Sequence, residues 1–319
     1  MSTLVIGTRG SELARWQAES VRKALLREHP ELSVELRIVS TKGDRDRSTA
    51  LSQVEGVGFF TREVEIALLE EQADVAVHSL KDLPTRTPEP LTVAAVPGRA
   101  DPADALVAPG GDTLAELPRG ARVLTGSMRR KAQLLHHRAD LDVRPVRGNV
   151  ETRVRKVREG PADALVLARA GLVRLGLEKH IAQRFDSADE FVPACGQGAL
   201  AVQVRAGDER AVRLCAAIDD SEAHAATAAE RTFLATLGGG CRLPLAAWGR
   251  FEEDEELTLT GLVTDLRGRR VLKRTLRGPA RERHEAEELG QRMAEELRRE
   301  GADEVLAEAL RETETEAGR

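Results

Sequence analysis

Apolar and amphipathic stretches alternate along the first two-thirds of this chain of 319 residues. Short apolar runs of strand type cover residues 4–6, 34–39 and 74–77, and runs of helical periodicity extend from Ser11 to about Arg27 and from Thr61 to Glu71. Alternation of this kind predicts an α/β fold with helices on both faces of each sheet.

A second copy of this pattern begins near Asp104. Residues 123–130 (VLTGSMRR) echo residues 5–11 (VIGTRGS), and residues 162–166 likewise resemble residues 73–77. Two similarities in the same order predict two related lobes with a cleft between them. Because ligands of open α/β sheets bind beyond the carboxyl ends of the strands, both repeated turns are expected to face that cleft.

The character of the chain changes after about residue 217. A helix predicted over 222–237 stops at Gly238-Gly239-Gly240, and strand-like runs follow over 245–251, 257–263 and 271–276, with two polar helices at the end. Strands followed by helices indicate a small α+β domain. The predicted boundaries are 1–98 with 197–216 for domain 1, 99–196 for domain 2 and 217–319 for domain 3.

Charge, hydrophobicity and cysteine spacing exclude several classes of protein. The net charge of −5 gives no support to a nucleic-acid-binding protein. No apolar run reaches membrane-spanning length, and the N-terminus lacks the basic and hydrophobic regions of a signal peptide, which together indicate a cytoplasmic protein. The three cysteines, Cys195, Cys215 and Cys241, are widely spaced, so neither a disulfide framework nor a metal site is expected.

Arginines and hydroxyl residues cluster where predicted strands lead into helices. Guanidinium groups match carboxylates, and helix N-termini add free backbone N–H groups. Arginines at such positions oppose the helix dipole unless an anion offsets both, which predicts small anionic ligands. The alternative is a set of solvated helix faces and ordinary ion pairs. The residues concerned are Arg9, Ser11, Ser127, Arg129, Arg130, Arg147, Arg153 and Arg174.

A carboxylate also lies just past a buried strand, in residues 78–85 (HSLKDLPT). Asp82 at this position could transfer a proton or stabilise a developing cation, and Lys81 could bind a ligand carboxylate. The alternative is a surface ion pair of little energetic weight. His78, at the end of an apolar strand, is interpreted as a structural residue.

Cys241 is the strongest candidate among the cysteines. It follows three glycines, which leave little steric cover, and it precedes Arg242, which favours the thiolate. A thiolate can attack an electrophilic carbon and form a stable thioether. The alternative is a buried, inert cysteine, which suits Cys215 well and Cys195 moderately.

Six segments together resemble the hydroxymethylbilane synthase (porphobilinogen deaminase) family. They occur in the order that the family has and span nearly the whole chain. They are residues 7–14 (GTRGSELA), 78–85 (HSLKDLPT), 126–130 (GSMRR), 146–153 (VRGNVETR), 196–200 (GQGAL) and 239–241 (GGC).

The resemblance implies a fold with two periplasmic-binding-protein-like α/β lobes, a central cleft and a small α+β C-terminal domain. It implies a transferase that joins four porphobilinogen molecules, with loss of ammonia, on a dipyrromethane cofactor held by a thioether to Cys241. Hydrolysis then releases the linear tetrapyrrole hydroxymethylbilane, in tetrapyrrole and haem biosynthesis. The family expectation is a monomer that binds porphobilinogen and neither nucleic acid nor membrane.

The same matching implies roles for single residues. Asp82 would stabilise the cation formed as ammonia leaves and assist proton transfer, and Phe60 would pack beside the pyrroles. Val57 stands where the family usually has a lysine, and residues 125–127 (TGS) replace its more usual run of hydroxyl residues. The residues expected to hold the carboxylates of cofactor and substrate are Arg9, Ser11, Lys81, Thr125, Ser127, Arg129, Arg130, Arg147, Arg153 and Arg174.

Two other functions fit part of the pattern. A non-catalytic bilobed binding protein for an anionic small molecule would explain the arginines, but it needs neither Asp82 nor Cys241. An enzyme in which Cys241 turns over as a nucleophile would need a nearby base, and no histidine lies close to this cysteine in sequence.

Overall fold

The computed structural model describes residues 3–40, 61–187, 189–239, 243–253 and 255–317. These residues form two compact units. The first unit takes in residues 3–40, 61–100 and Gly198–His224, and it forms the first lobe. The second unit takes in Asp101–Gln197, which form the second lobe, and the residues from Ala225 onward, which form the C-terminal domain.

The described residues contain thirteen strands and nine α-helices. The strands are β1 (Thr3–Arg9), β2 (Ser33–Val39), β3 (Val75–Ser79), β4 (Leu91–Ala95), β5 (Asp104–Val107), β6 (Arg122–Leu124), β7 (Asp142–Arg144), β8 (Ala164–Ala168), β9 (Gln183–Arg184), β10 (Leu200–Arg205), β11 (Leu245–Phe251), β12 (Leu257–Thr264) and β13 (Val271–Gly278). The helices are α1 (Glu12–Glu28), α2 (Arg62–Leu69), α3 (Met128–His137), α4 (Val150–Glu159), α5 (Arg169–Arg174), α6 (Glu209–Ala216), α7 (Ser221–Thr236), α8 (Arg283–Arg299) and α9 (Ala302–Ala317).

The first lobe is built on a five-stranded sheet with the order β2-β1-β3-β10-β4. Strand β1 pairs in parallel with both β2 and β3, whereas β10 runs antiparallel between β3 and β4. Leu4 and Ile6 of β1 are fully buried against apolar residues of α1, including Val21 and Leu25. The carboxyl ends of β1 and β3 therefore lie side by side at one edge of the sheet.

The second lobe arranges its strands in the same way in space, with a different connectivity. Its five-stranded sheet has the order β7-β6-β8-β5-β9, in which β6 pairs in parallel with β7 and β8, and β5 runs antiparallel between β8 and β9. All the residues of β5 are buried, as are Ala164–Leu167 of β8, because the sheet is covered on both faces. The internal repeat predicted from sequence is thus confirmed by two sheets with the same spatial arrangement of strand directions. The connectivity differs at one strand, because the antiparallel strand comes last along the chain in the first lobe (β10) and first in the second (β5).

The C-terminal domain has a three-stranded antiparallel sheet, β11-β12-β13, packed against α8 and α9. All of the residues of β12 are buried. Helix α7 packs on the same core through Phe233, and Gly290 of α8 approaches the α7 backbone at Ala229 so closely that a Cβ would collide with it. The two α/β lobes and the small α+β domain expected from sequence are confirmed.

Helix α7 ends where the sequence predicted a stop. Gly238 has a φ of 66°, a left-handed conformation that glycine adopts without strain. A Cβ at the next residue, Gly239, would collide with Leu234 and Leu245. No helix within the described ranges is long and apolar enough to cross a membrane.

Candidate functional site

The first lobe places four predicted site residues at the carboxyl edge of β1 and β3. Arg9 is the last residue of β1, and Ser11 caps α1, where its Oγ accepts a hydrogen bond from the backbone N–H of Ala14 at 3.3 Å. Lys81 and Asp82 lie in a short 3₁₀ turn, Leu80–Asp82, directly after β3. The side chain of Asp82 is exposed, so its carboxylate is accessible to a ligand.

His78 is buried beneath this edge, with 5% of its surface exposed. The pKa of His78 is lowered to about 4. Burial is the main cause and the charge of Arg9 adds to it, while the neighbouring Gln203 side chain works in the opposite direction. The imidazole is therefore neutral at pH 7. Its Nε2 atom is buried and has no hydrogen-bond partner among the described residues.

The second lobe places its hydroxyl residues after β6, at the equivalent edge. The N–H of Thr125 donates to the carbonyl of Arg144 at 2.9 Å, which extends the pairing of β6 with β7. The Oγ1 of Thr125 accepts from the N–H of Ser127 at 3.3 Å, and Ser127 caps α3 by accepting from the N–H of Arg130 at 3.4 Å. Both hydroxyl oxygens thus order the turn that begins the arginine-bearing helix.

Arg129 and Arg130 lie in the first turn of α3 and are both buried. Each forms an ion pair with Asp104, the first residue of β5. The Nη1 atom of Arg129 lies 2.6 Å from Oδ2 of Asp104, and the Nη2 atom of Arg130 lies 2.8 Å from Oδ1. Both guanidinium groups therefore use part of their donors on an internal carboxylate. Their contact with ligand carboxylates stays a prediction.

This arginine cluster, Asp104 with Arg129 and Arg130, carries one more positive than negative charge. Burial works to raise the pKa of Asp104, but the two guanidinium groups lower it more, so the pKa is held well below its usual range. Burial lowers the pKa of Arg129, and the Asp104 carboxylate opposes that shift. An unbalanced buried cation is costly, so an anionic group beside the cluster would be favourable.

Arg147 and Arg153 flank the start of α4, as predicted. Arg153 donates from Nε to the carbonyl of Gly148 at 2.7 Å. Arg147 is half-buried, and its Nε and Nη2 atoms are inaccessible to solvent without a hydrogen-bond partner among the described residues. Since two buried guanidinium donors with no acceptor are costly, this side chain fits a carboxylate ligand.

Arg174 ends helix α5, which directly follows β8. Burial alone lowers the pKa of its guanidinium to about 10. The group remains charged at pH 7, so it adds a partly desolvated cation to the second lobe.

Three of the sequence predictions fall outside the described residues: Cys241, Phe60 and Val57. The two cysteines that the structure describes are buried. Burial, assisted by Asp208, raises the pKa of Cys215 to about 12, which confirms the prediction of an inert thiol in a helix core. Within the described ranges, no group of three or more acidic, histidine or cysteine side chains could hold a metal ion.

Two residues at this site, Asp104 within the arginine cluster and Gln197 beside it, were not predicted from sequence. Asp104 appeared only as the start of the second repeat, although it is the counter-ion of both arginines. Gln197 appeared only within a motif, but its side chain hydrogen bonds to Arg130 and Asp104. The sequence did contain one indication of Asp104, because it begins a strand that is otherwise apolar. A carboxylate at such a position is expected to be buried and to need a partner of opposite charge.

Solved structures with a similar backbone include the VFT2 domain of Bordetella pertussis BvgS, with a TM-score of 0.40 and 15% identity over 68% of this chain and 86% of that one. Another is a TRAP periplasmic solute binding protein from Desulfovibrio salexigens, with a TM-score of 0.41 and 10% identity over 68% of this chain and 72% of that one. At these TM-scores the likeness is too distant to indicate more, and the two-lobed assignment follows from the sheets of this chain.

Sequence comparison is far more specific. The family model described as porphobilinogen deaminase, dipyromethane cofactor binding domain, matches residues 4–213, and the model of the C-terminal domain of porphobilinogen deaminase matches residues 224–299. A porphobilinogen deaminase of Syntrophotalea carbinolica is 48% identical over 96% of this chain and 96% of its own length. The porphobilinogen deaminase of Brevibacillus brevis is 44% identical over 97% of this chain and 98% of its own length. The chain therefore belongs to the porphobilinogen deaminase family.

Proposed function

We propose that this chain is a porphobilinogen deaminase, a transferase that makes hydroxymethylbilane from porphobilinogen. The observation that carries the proposal is the match of both family models, over residues 4–213 and 224–299, together with relatives that are 43–48% identical over nearly the full length of the chain. The buried cations of the second lobe support it independently, since porphobilinogen carries an acetate and a propionate.

Cys241 holds the dipyrromethane cofactor by a thioether. When bound, this cofactor supplies the pyrrole carbon on which the chain of pyrroles grows. The first family model, which is described by that cofactor, supports the assignment. The residues present fit such a group, because Arg147 has two buried donors without an acceptor and the arginine cluster has an excess positive charge.

The remaining binding residues divide between the lobes. Arg9, Ser11 and Lys81 act in the first lobe, where three polar side chains follow two neighbouring parallel strands. In the second lobe, arginine side chains bind the carboxylates of cofactor and substrate, while Thr125 and Ser127 order the turn that presents them. The second-lobe arginines in this role are Arg129, Arg130, Arg147, Arg153 and Arg174. Phe60 packs beside the pyrroles.

Asp82 is the catalytic residue. Its carboxylate, exposed on the turn after β3, stabilises the positive charge that develops on the substrate as ammonia leaves, and it accepts or donates the associated proton. Lys81 lies next to it and binds a substrate carboxylate. In this proposal the arginines bind the substrate, and Asp82 stabilises the charge that develops during the reaction.

The finer features of the proposal follow the sequence predictions. The enzyme acts in the cytoplasm as a monomer, and it binds no nucleic acid. The net charge of −5 supports the exclusion of nucleic acid. The chain is organised as domain 1 (1–98 with 197–216), domain 2 (99–196) and domain 3 (217–319).

The intact mass of the purified native protein tests the proposal, together with the product formed from porphobilinogen. We expect the native chain to exceed its sequence mass by one dipyrromethane, or to gain that mass after incubation with porphobilinogen, and to release hydroxymethylbilane. A Cys241→Ser variant should show neither gain. A non-catalytic binding protein would instead retain its bare mass and leave porphobilinogen unchanged, which would overturn the proposal.

A further inference from the structure

A single carboxylate organises two of the arginines assigned to carboxylate binding. Asp104 has 0% of its surface exposed, and its two oxygens divide between the two guanidinium groups. Oδ2 accepts from Nη1 of Arg129 at 2.6 Å, and Oδ1 accepts from Nε of Arg130 at 2.9 Å. Because a guanidinium has a planar, fixed set of donors, two such contacts determine how the remaining donors of each arginine are oriented.

Gln197 completes this arrangement. Its Nε2 donates to Oδ1 of Asp104 at 2.8 Å and to the carbonyl of Pro102 at 2.7 Å, while its Oε1 accepts from Nη2 of Arg130 at 3.2 Å. Gln197 is the last residue of the second lobe before the chain returns to the first, and Pro102 follows the outgoing passage by two residues. The amide of Gln197 thus links the ion pairs to the two segments that connect the lobes, near residues 101 and 197.

The backbone next to Gln197 is also fixed. The N–H of Gly196 donates to Oε2 of Glu230 at 2.6 Å, and Oε1 of the same carboxylate accepts from the N–H of Gly249 at 2.7 Å. Glu230 is fully buried in α7, the helix that leads to the glycines before Cys241. These bonds hold the backbone beside Gln197 in place, so its side chain restricts the arginine cluster to one arrangement.

Not all donors of the cluster are satisfied. The Nε atom of Arg129 is buried without a hydrogen-bond partner among the described residues, and the three charges sum to one excess positive charge. A cluster built only for stability would do better with apolar side chains of similar volume. The combination of fixed orientation and incomplete neutralisation fits a role in ligand binding.

We propose that Asp104, held by Gln197, is a positioning residue that orients Arg129 and Arg130 toward the carboxylates of the pyrroles. The proposal rests on the function proposed above. Asp104 touches neither substrate nor cofactor in this role. Asp104 determines which donors of the two guanidinium groups remain available to a ligand. Gln197 holds Asp104 and Arg130 in that orientation through its hydrogen bonds to both and to the carbonyl of Pro102.

The test compares Asp104→Asn with the unchanged protein. An amide in place of the carboxylate puts an N–H₂ donor against guanidinium donors, so one arginine must turn away. Losing a charge-assisted hydrogen bond costs about tenfold to a hundredfold in affinity. We therefore expect cofactor loading, followed by intact mass during incubation with porphobilinogen, to slow by about that factor. The KM for porphobilinogen of the loaded fraction should rise similarly, with kcat changed less than about threefold.

Asp140→Asn is the matched control. Asp140 also pairs with an arginine of the second lobe, Arg138, but it is more exposed and lies before β7, at the opposite end of that strand from the site. This variant should load and bind as the unchanged protein does. If Asp104→Asn keeps the loading rate and KM of the unchanged protein, or loses only melting temperature and kcat, Asp104 is structural and the proposal is wrong.

Gln197→Met decides the case in which Asp104→Asn does not fold. Methionine keeps the length of the side chain but makes none of the three hydrogen bonds, so loading and KM should change in the same direction by a smaller factor, about threefold to tenfold. Unchanged loading and KM in this variant would overturn the proposal. Failure of the proposed function looks different, because the unchanged protein itself would then neither gain mass nor form product.

Discussion

The two lobes share one spatial arrangement of strands but have side chains of different chemistry at equivalent positions. In each lobe an antiparallel strand begins opposite the last residue of the third parallel strand, at Leu200 in the first lobe and at Asp104 in the second. In each lobe a serine caps the helix that follows the central parallel strand. The residue whose N–H it accepts is Ala14 in the first lobe and Arg130 in the second.

This difference separates what the fold requires from what the ligand requires. The first lobe forms the same sheet with an apolar residue at both positions, so the fold does not need a buried ion pair there. Buried ion pairs are weak contributors to stability, and apolar replacements are often neutral or better. The ions of the second lobe are thus not a requirement of the fold, which agrees with the binding role proposed for them, whereas the first lobe contributes an exposed carboxylate, Asp82.

The largest expected effect comes from Asp82→Asn. Asparagine keeps the shape of the side chain but can neither neutralise a cation nor transfer a proton, so kcat should fall by about 10²–10⁴-fold with little change in KM. Steady-state kinetics with porphobilinogen measure both constants. The intact mass of the variant should still show the cofactor, because Cys241 is untouched.

Arg147→Leu supplies the contrast from the second lobe. Removing the guanidinium that has two buried, unpartnered donors should raise KM by about tenfold to a hundredfold and leave kcat within a few-fold. If instead Asp82→Asn raised KM and Arg147→Leu lowered kcat, the assignment of chemistry to the first lobe and binding to the second would be wrong.

A third prediction transfers the second-lobe pattern into the first lobe. Leu200→Asp places a carboxylate among buried apolar side chains, with Ala14 where the second lobe has Arg130. An uncompensated buried charge should lower the free energy of unfolding by about 3–5 kcal/mol at pH 7. Urea denaturation of the purified variant measures this change.

Leu200→Asn is its control, because it has the same shape without the charge. Burial raises the pKa of a carboxyl group, so the gap between the two variants should be widest at neutral pH and close as the pH falls below about 4. Equal stability of the two variants at pH 7 would mean that the first lobe already offers a counter-charge at this position.

Sequence patterns predicted the scaffold well, because helical and strand periodicity report burial locally. Residues 162–166 and 73–77 were matched as a repeat, and β8 and β3 indeed occupy equivalent places in the two sheets. Ser11 and Ser127 were predicted to lie where strands lead into helices, and the structure places both at such turns as helix N-caps. The predicted family is confirmed by full-length relatives.

The ion pairs of the site could not be predicted in the same way. Arg129 and Asp104 are far apart in sequence and meet only because β5 and α3 pack on one sheet. Local spacing cannot tell which of many arginines will be desolvated, so the sequence offered ligand carboxylates or ordinary ion pairs for Arg129 and Arg130 but did not indicate Asp104 as their partner. The unpartnered nitrogens of Arg147 are likewise a property of packing and have no counterpart in the motif.

The smallest expected effect at neutral pH is that of His78→Leu, a change that gives β3 the residue that β8 has at the equivalent position, Leu167. The pKa of His78 is lowered by burial from about 6.5 to about 4, so the unfolded chain binds the proton more tightly than the folded chain does. Stability should therefore fall as the pH drops through this window, by at most about 3 kcal/mol near pH 4, and should be unaffected at pH 7. His78→Leu should remove that part of the acid sensitivity in melting curves between pH 7 and 4, whereas replacing the exposed His284 should leave the curve unchanged. An unaltered pH profile in His78→Leu would show that the buried imidazole is not what distinguishes the first lobe at low pH.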